Sequence, residues 1–272
     1  MASGPQTKIN QLLKRWPPGT VAALPWLREH GVSQQLADQY VRSGWLRRLG
    51  HGVFVRTEDE PEWTGGLYAL QRHLALPVHA AAGTALELSG FAHYLRMGNR
   101  PEVVLLGAPQ TQLPRWFRHH NWGVRVSFSA TRLFNVDVAK TLVEKSFGGY
   151  STRAHGHGVY GGGAFTIWIS TPERAMFEVC ARVPLKQGYH EARSLMEGLV
   201  SLRPRHVQLL LEECTSIKTK RLFMHLAEVC NHQWVGKLAL ANVNFGSGKR
   251  VVVKGGKLDR KYQITVPAED IT

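Results

Sequence analysis

Between Val32 and Arg56 the chain reads VSQQLADQYVRSGWLRRLGHGVFVR, and this succession of residue types leaves few folds open. Ser33 suits a helix N-cap, because its hydroxyl accepts from an orphan amide of the first turn, and Gly44 suits a left-handed exit. The spacing therefore predicts a helix over Gln34–Ser43. Leu36, Ala37, Tyr40 and Val41 recur at helical spacing and face a core, which leaves Gln34, Gln35, Asp38, Gln39 and Arg42 on or near the outer side. Gln pairs with two edge atoms of adenine and Arg with two of guanine, so this face has the chemistry to read a DNA groove, with Ser33 at its leading end. Such a face on an isolated helix is more often merely solvated.

The residues after the helix shift that balance. Trp45, Leu46, Leu49, Val53 and Val55 are strand formers, and Gly50-His51-Gly52 offers the positive φ angles of a tight turn. The expected hairpin carries Arg47, Arg48, His51 and Arg56. Upstream, Ile9, Leu12, Leu13 and Trp16 form a helical stripe stopped by Pro17-Pro18-Gly19, Thr20–Ala23 suits a short strand, and Leu24–His30 suits a second helix ending at Gly31. Helix, strand, helix, turn, helix and basic hairpin is the order of a winged helix-turn-helix, in which the third helix enters the major groove and the wing follows the phosphates.

Charge agrees with this shape. Over 272 residues the formal net charge is +14 and the pI near 10.0, which points to a polyanionic partner. No apolar run of membrane-spanning length and no signal pattern at the N-terminus are present, so a cytoplasmic protein with no membrane partner is expected. Cys180, Cys214 and Cys230 are odd in number and widely spaced, as reduced core residues are.

Acidic Glu58–Pro61 is expected to be an exposed break. Beyond it, Trp63, Leu67, Leu70 and Leu74 define one helix and Leu88, Phe91, Ala92 and Leu95 a second, both bracing the winged helix. Val103–Leu106, Val124–Phe128 and Phe165–Ile169 suit strands. Thr171-Pro172-Glu173 opens a helix, succeeded by helices at His190–Leu199, His206–Cys214 and Ile217–Cys230, then by strand-like Val251–Lys254 and Tyr262–Val266. The fold class is thus mixed α/β (α+β): a winged helix-turn-helix domain with brace helices over 1–95, then a mixed α/β domain over 96–272.

Catalytic chemistry finds little footing. His119-His120 and His155-Gly156-His157 lack the i, i+4 spacing and nearby carboxylates of a zinc hydrolase, and Gly246-Ser247-Gly248-Lys249 lacks the first glycine and the Ser/Thr of a phosphate-binding loop. The chain is accordingly expected not to be an enzyme and to use no cofactor or metal. Arg115-Trp116-Phe117-Arg118-His119-His120-Asn121-Trp122 differs in kind: its aromatics either stack bases or fill a core beneath a basic rim. Arg115 and Arg118, with Lys218, Lys220, Arg221, Lys249 and Arg250, are candidate nucleic-acid contacts beyond the winged helix.

The runs GVSQQLADQYVRSGWLRRLGHGVF and AAAGTALELSGFAHYL resemble the N-terminal part of the AbiEi family. TPERAMFEVC, KTKRLFMHLAEVCNHQW and GSGKRVVVKGGKLDRKYQITVP resemble its C-terminal domain in character and order. The likeness runs from about Ile9 to Pro267. It implies an antitoxin and transcriptional autorepressor of a type IV, abortive-infection toxin–antitoxin pair acting in phage defence. Its winged helix would bind repeats in the double-stranded DNA of its own promoter, and its C-terminal domain would counter a nucleotidyltransferase-like toxin without a stable complex. Ser146–Gly163, rich in glycine, has no counterpart in the family pattern and is expected to be a loop. Two alternatives stay open: a C-terminal domain that binds RNA, and an enzyme with a winged-helix accessory domain.

Overall fold

The computed structural model of the chain describes residues 8–91, 101–135, 141–147, 151–153, 156–158 and 165–270. They belong to two compact units, one built from Met1–His79, Arg100–Ala130 and Glu144–Trp168, the other from Ala80–Asn99, Thr131–Val143 and Ile169–Thr272. Both units draw residues from either side of the expected division at 95/96.

The first unit opens with α1 (Lys8–Arg15), β1 (Ala22–Ala23), α2 (Leu24–Glu29), α3 (Gln34–Arg42), β2 (Leu46–Gly50) and β3 (Val53–Arg56). The three strands form an antiparallel sheet in the order β1-β3-β2, with Ala22 opposite Phe54 and Arg48 opposite Phe54 from the other side. Ile9, Leu12, Trp16, Leu27, Val32, Ala37, Leu46 and Phe54 meet in one core, and each large side chain buried there contributes about 1.5–3 kcal/mol. Gly31 and Gly44 leave their helices at φ +75° and +76°, a region closed to most side chains. Of the two turn glycines only Gly52 needs a positive φ, at +68°.

The expected brace helix begins as α4 (Trp63–Tyr68) but widens into a π-helical turn over Ala69–His73. That turn sets His73 beneath the winged helix, where Nδ1 accepts the Ala23 amide at 3.4 Å and the ring stacks on Trp26 at 4.6 Å. Two adjacent glycines keep α4 thin. A Cβ on Gly65 would lie 2.0 Å from the Gly19 carbonyl oxygen, and one on Gly66 would lie 2.6 Å from the Trp122 ring.

After β4 (Val78–Ala80) comes α5 (Ala82–Leu88), which lies N-terminal to the expected second brace. Its stripe is Ala82, Thr84, Ala85 and Leu86, and Gly90 ends the turn beyond it at φ +82°. Of the residues expected in that helix, Ala92 and Leu95 lie outside the described residues. β5 (Glu102–Gly107), α6 (Arg115–His119) and β6 (Arg125–Ala130) then form a parallel β-α-β unit, with Glu102 opposite Arg125 and Gly107 opposite Ala130. With β7 (Leu142–Phe147) and β10 (Phe165–Ser170) the larger sheet runs β6-β5-β4-β10-β7. Within the Gly-rich segment, β8 (Ser151–Arg153) and β9 (Gly156–Gly158) pair antiparallel.

In the second unit α7 (Pro172–Arg182), α8 (Tyr189–Glu197), α9 (Pro204–Glu213) and α10 (Ile217–Val229) precede the sheet β11 (Arg250–Val251), β13 (Ile264–Val266), β12 (Lys257–Asp259). Thr171 caps α7 as expected, its hydroxyl accepting from the Arg174 amide. α7 is buried nearly all round, including its charges. The Glu178 carboxylate accepts from the Ala82 amide at 2.9 Å, the Ser170 hydroxyl at 2.8 Å and Arg174 Nε at 2.7 Å. Buried carboxylates without such partners are strongly destabilising. Phe177 stacks on Phe223 of α10 at 4.0 Å.

Candidate nucleic-acid interface

The capping geometry of α3 comes from Ser33, whose Oγ accepts from the Leu36 amide at 3.2 Å. With its first turn fixed, the helix turns Ala37 into the core and leaves Ser33, Gln35, Gln39 and Arg42 exposed, with Gln34 and Asp38 half-buried. Asp38 is drawn away from the outer face: its carboxylate holds Arg48 of β2 at 2.5 Å. Arg48 also lies over the Phe54 ring at 5.6 Å.

The other wing cations divide. His51 is exposed at the turn. Arg47 donates to the Asp59 carbonyl at 2.5 Å and pairs with Glu60 at 2.7 Å, but Glu60 is 76% exposed, so this ion pair is weak and readily exchanged. Arg56, expected on the phosphates, points inward instead. Its guanidinium donates to the carbonyls of Leu13 and Trp16, closing the C-terminal end of α1, where backbone acceptors lack helical partners. The break at Glu58–Pro61 is exposed at Glu58 and Glu60 only: Asp59 is 2% exposed and accepts the Gly19 amide at 2.7 Å. Burial raises the Asp59 carboxyl above its usual range, opposed by the Gly19 amide, Arg56 and Arg47.

The aromatic and basic stretch forms α6 and the turn after it. Phe117 is fully buried, Trp122 is 8% exposed with its indole N–H donated to the Phe117 carbonyl at 2.8 Å, and both lean on Gly66. Trp116 packs against Gly50 of the wing. Arg115, Arg118 and His119 remain outside. Of the two outcomes that the sequence leaves open for these aromatics, the core under a basic rim is the one found.

The cations of α10 are a correction. Lys220 and Arg221 are 4% and 2% exposed and scaffold the loop after α10. Lys220 donates to the Asn244 carbonyl, and Arg221 to the carbonyls of Phe245, Gly246 and Gly248 at 2.6–3.0 Å. Lys218 donates to the Val183 carbonyl. Lys220 and Arg221, so enclosed, have no face left for a phosphate, whereas Lys218 is half-buried. Lys249 and Arg250 are exposed. The Gly246–Gly248 stretch is a turn, with φ +63° and +73° at its glycines.

A capped helix whose outer side carries amides and a guanidinium, backed by a three-stranded antiparallel wing sheet, defines a winged-helix regulator. Two adjoining family models match the chain, the AbiEi antitoxin transcriptional regulator N-terminal domain over residues 5–97 and the AbiEi antitoxin transcriptional regulator of type IV toxin–antitoxin systems over residues 100–267. The chain belongs to that family, one of regulatory antitoxins. No curated protein matches it. Among solved structures, the RV2827C protein from Mycobacterium tuberculosis is similar over 94% of this chain and 88% of its own, at 15% identity and a TM-score of 0.53, a likeness of fold alone. No helix among the described residues is long and apolar enough to cross a membrane.

Proposed function

We propose that this chain is a DNA-binding autorepressor. α3 enters the major groove of double-stranded DNA, reading bases through Gln34, Gln35, Gln39 and Arg42, while Arg47, Arg48 and His51 contact the phosphates from the wing. The observation that supports this best is the outward Gln35-Gln39-Arg42 face of a helix fixed in orientation by its cap and by the Asp38–Arg48 pair. Residues near the N-terminal end of a recognition helix approach bases most closely, which favours Gln34 and Gln35 as readers. Family membership supports the remainder: the bound DNA is the chain's own promoter, bearing repeats, and the residues after 95 counter a nucleotidyltransferase-like toxin without a stable complex.

Footprinting on the region upstream of its own gene tests the DNA part. Protection confined to repeats there, lost with Gln35→Ala, is expected; protection without sequence preference would refute it. Growth of cells expressing the partner toxin tests the rest. The full chain should rescue them; growth no better than without it would refute this part.

A further inference from the structure

α6 stands on the wing. A Cβ on Gly50 would lie 2.8 Å from Trp116 Cβ and 3.7 Å from its Cα, so strand and helix meet almost backbone to backbone at the one residue of β2 that has no side chain. Immediately after α6, His120 lies within electrostatic reach of Arg47 and Glu60. The helix is clamped from below by Phe117 and Trp122 packed on Gly66 of α4. Its placement beside the wing is therefore rigid.

Its outer side is cationic. Arg115, Arg118 and His119 are exposed at i, i+3 and i+4, the spacing that puts three side chains on one stripe. Among the described residues neither arginine has a carboxylate partner. Of the neighbouring aromatics Phe117 and Trp122 are buried, and Trp116, half-buried, meets the wing through its Cα and Cβ and Phe117 and Trp122 through T-shaped ring contacts. That leaves little aromatic surface for the base stacking that single-stranded nucleic acid needs. Phosphate contact is what remains.

We infer that α6 is a second duplex-binding element, in which Arg115 and Arg118 hold phosphates of the DNA flanking the site, next to those held by the wing. This rests on the reading that α3 and the wing bind a duplex. A winged helix extended in this way covers DNA beyond the groove it reads, adding affinity without adding sequence information.

The test uses the full-length chain and duplexes from its upstream region, with affinity measured against salt concentration. Arg115→Ala with Arg118→Ala should lower the salt slope by about two units, since each phosphate contact contributes about 0.9, and should weaken operator and random duplexes alike. Arg115→Lys with Arg118→Lys should restore most of the slope, which separates lost charge from lost folding. Trimming the flanking base pairs should abolish the difference between wild type and the alanine variant. An unchanged slope in that variant, with Gln35→Ala still losing its operator preference, would overturn the α6 assignment and leave the winged-helix reading intact. If Gln35→Ala and the wing variants also change nothing, the reading beneath it fails too. Loss of binding to single-stranded RNA with duplex binding untouched would likewise overturn it.

Discussion

Asp38 on the recognition helix and Arg48 on the first wing strand hold each other at 2.5 Å, tying together the two elements that face DNA. Both are partly exposed, so the pair itself stabilises by no more than about 1 kcal/mol. Its larger effect is on charge, because Asp38 offsets part of the positive charge with which Arg48 meets a phosphate. Asp38→Asn is expected to raise affinity for random duplexes and steepen the salt dependence by about one unit. A double-mutant cycle with Arg48→Ala, read in binding and in urea midpoints, checks it. Unaltered non-specific affinity would mean that Arg48 never meets the backbone.

Gln35 is exposed in the first turn of α3, with no hydrogen-bond or ion-pair partner among the described residues. Gln35→Ala should cost about 1–3 kcal/mol on the cognate site and little on a random duplex. Equal losses on both would reduce the helix to a positioning element.

Arg47 and Arg56 look alike in sequence and differ in surroundings. Arg56→Met removes donors to the Leu13 and Trp16 carbonyls while keeping much of the bulk over the Trp16 ring. It should lower stability by about 1–3 kcal/mol, the range for stranding buried acceptors, and leave the salt slope of the remaining folded protein alone. Arg47→Ala should do the reverse. Thermal unfolding and salt titrations on the two variants together decide the matter.

Burial, helped by the charge of His30 nearby, pulls His73 down to about 4. Its folded value is thus below the unfolded value near 6.5, so the unfolded chain binds the extra proton between those two pH values. Stability is complete above about pH 6.5 and falls as pH drops towards 4, by up to about 3 kcal/mol. Urea unfolding at pH 7 and pH 5 should show the loss. His73→Gln should flatten this part of the profile, and a variant with the wild-type slope would place the proton elsewhere.

The winged helix was legible because its rules are local. Ser33 caps the helix just after it, Gly31 and Gly44 end the helices just before them, and the apolar stripe of α3 lies within ten residues. Direction and distant partnership escaped. The type of a cation says nothing about which way it points, and the acceptors of Arg56 and Arg221 lie 40 and 24 residues away in the chain. Asp59 had the same fault in reverse: an acidic residue among cations suggested a solvated break, yet it binds a backbone amide 40 residues earlier. The start of α5 escaped for a related reason. It is fixed by Glu178, far along the chain, which receives the Ala82 amide while Ala82 sits at φ +50°. Gly50 read as a turn residue because turns are the commonest use of glycine; the aromatic that needs its empty side lies on α6.

Gly66 separates α4 from Phe117 and Trp122 by the width of a hydrogen atom. The distance from the winged-helix core to α6 is accordingly set by a group that is missing, and an added methyl would have to displace two buried aromatic rings. Alleles at Gly66 would thus shift α6 without altering a single charge on the protein surface. A genetic screen for weakened repression should recover them alongside lost arginines, and only a charge-neutral lesion far from any phosphate would mark them as errors of spacing rather than of contact.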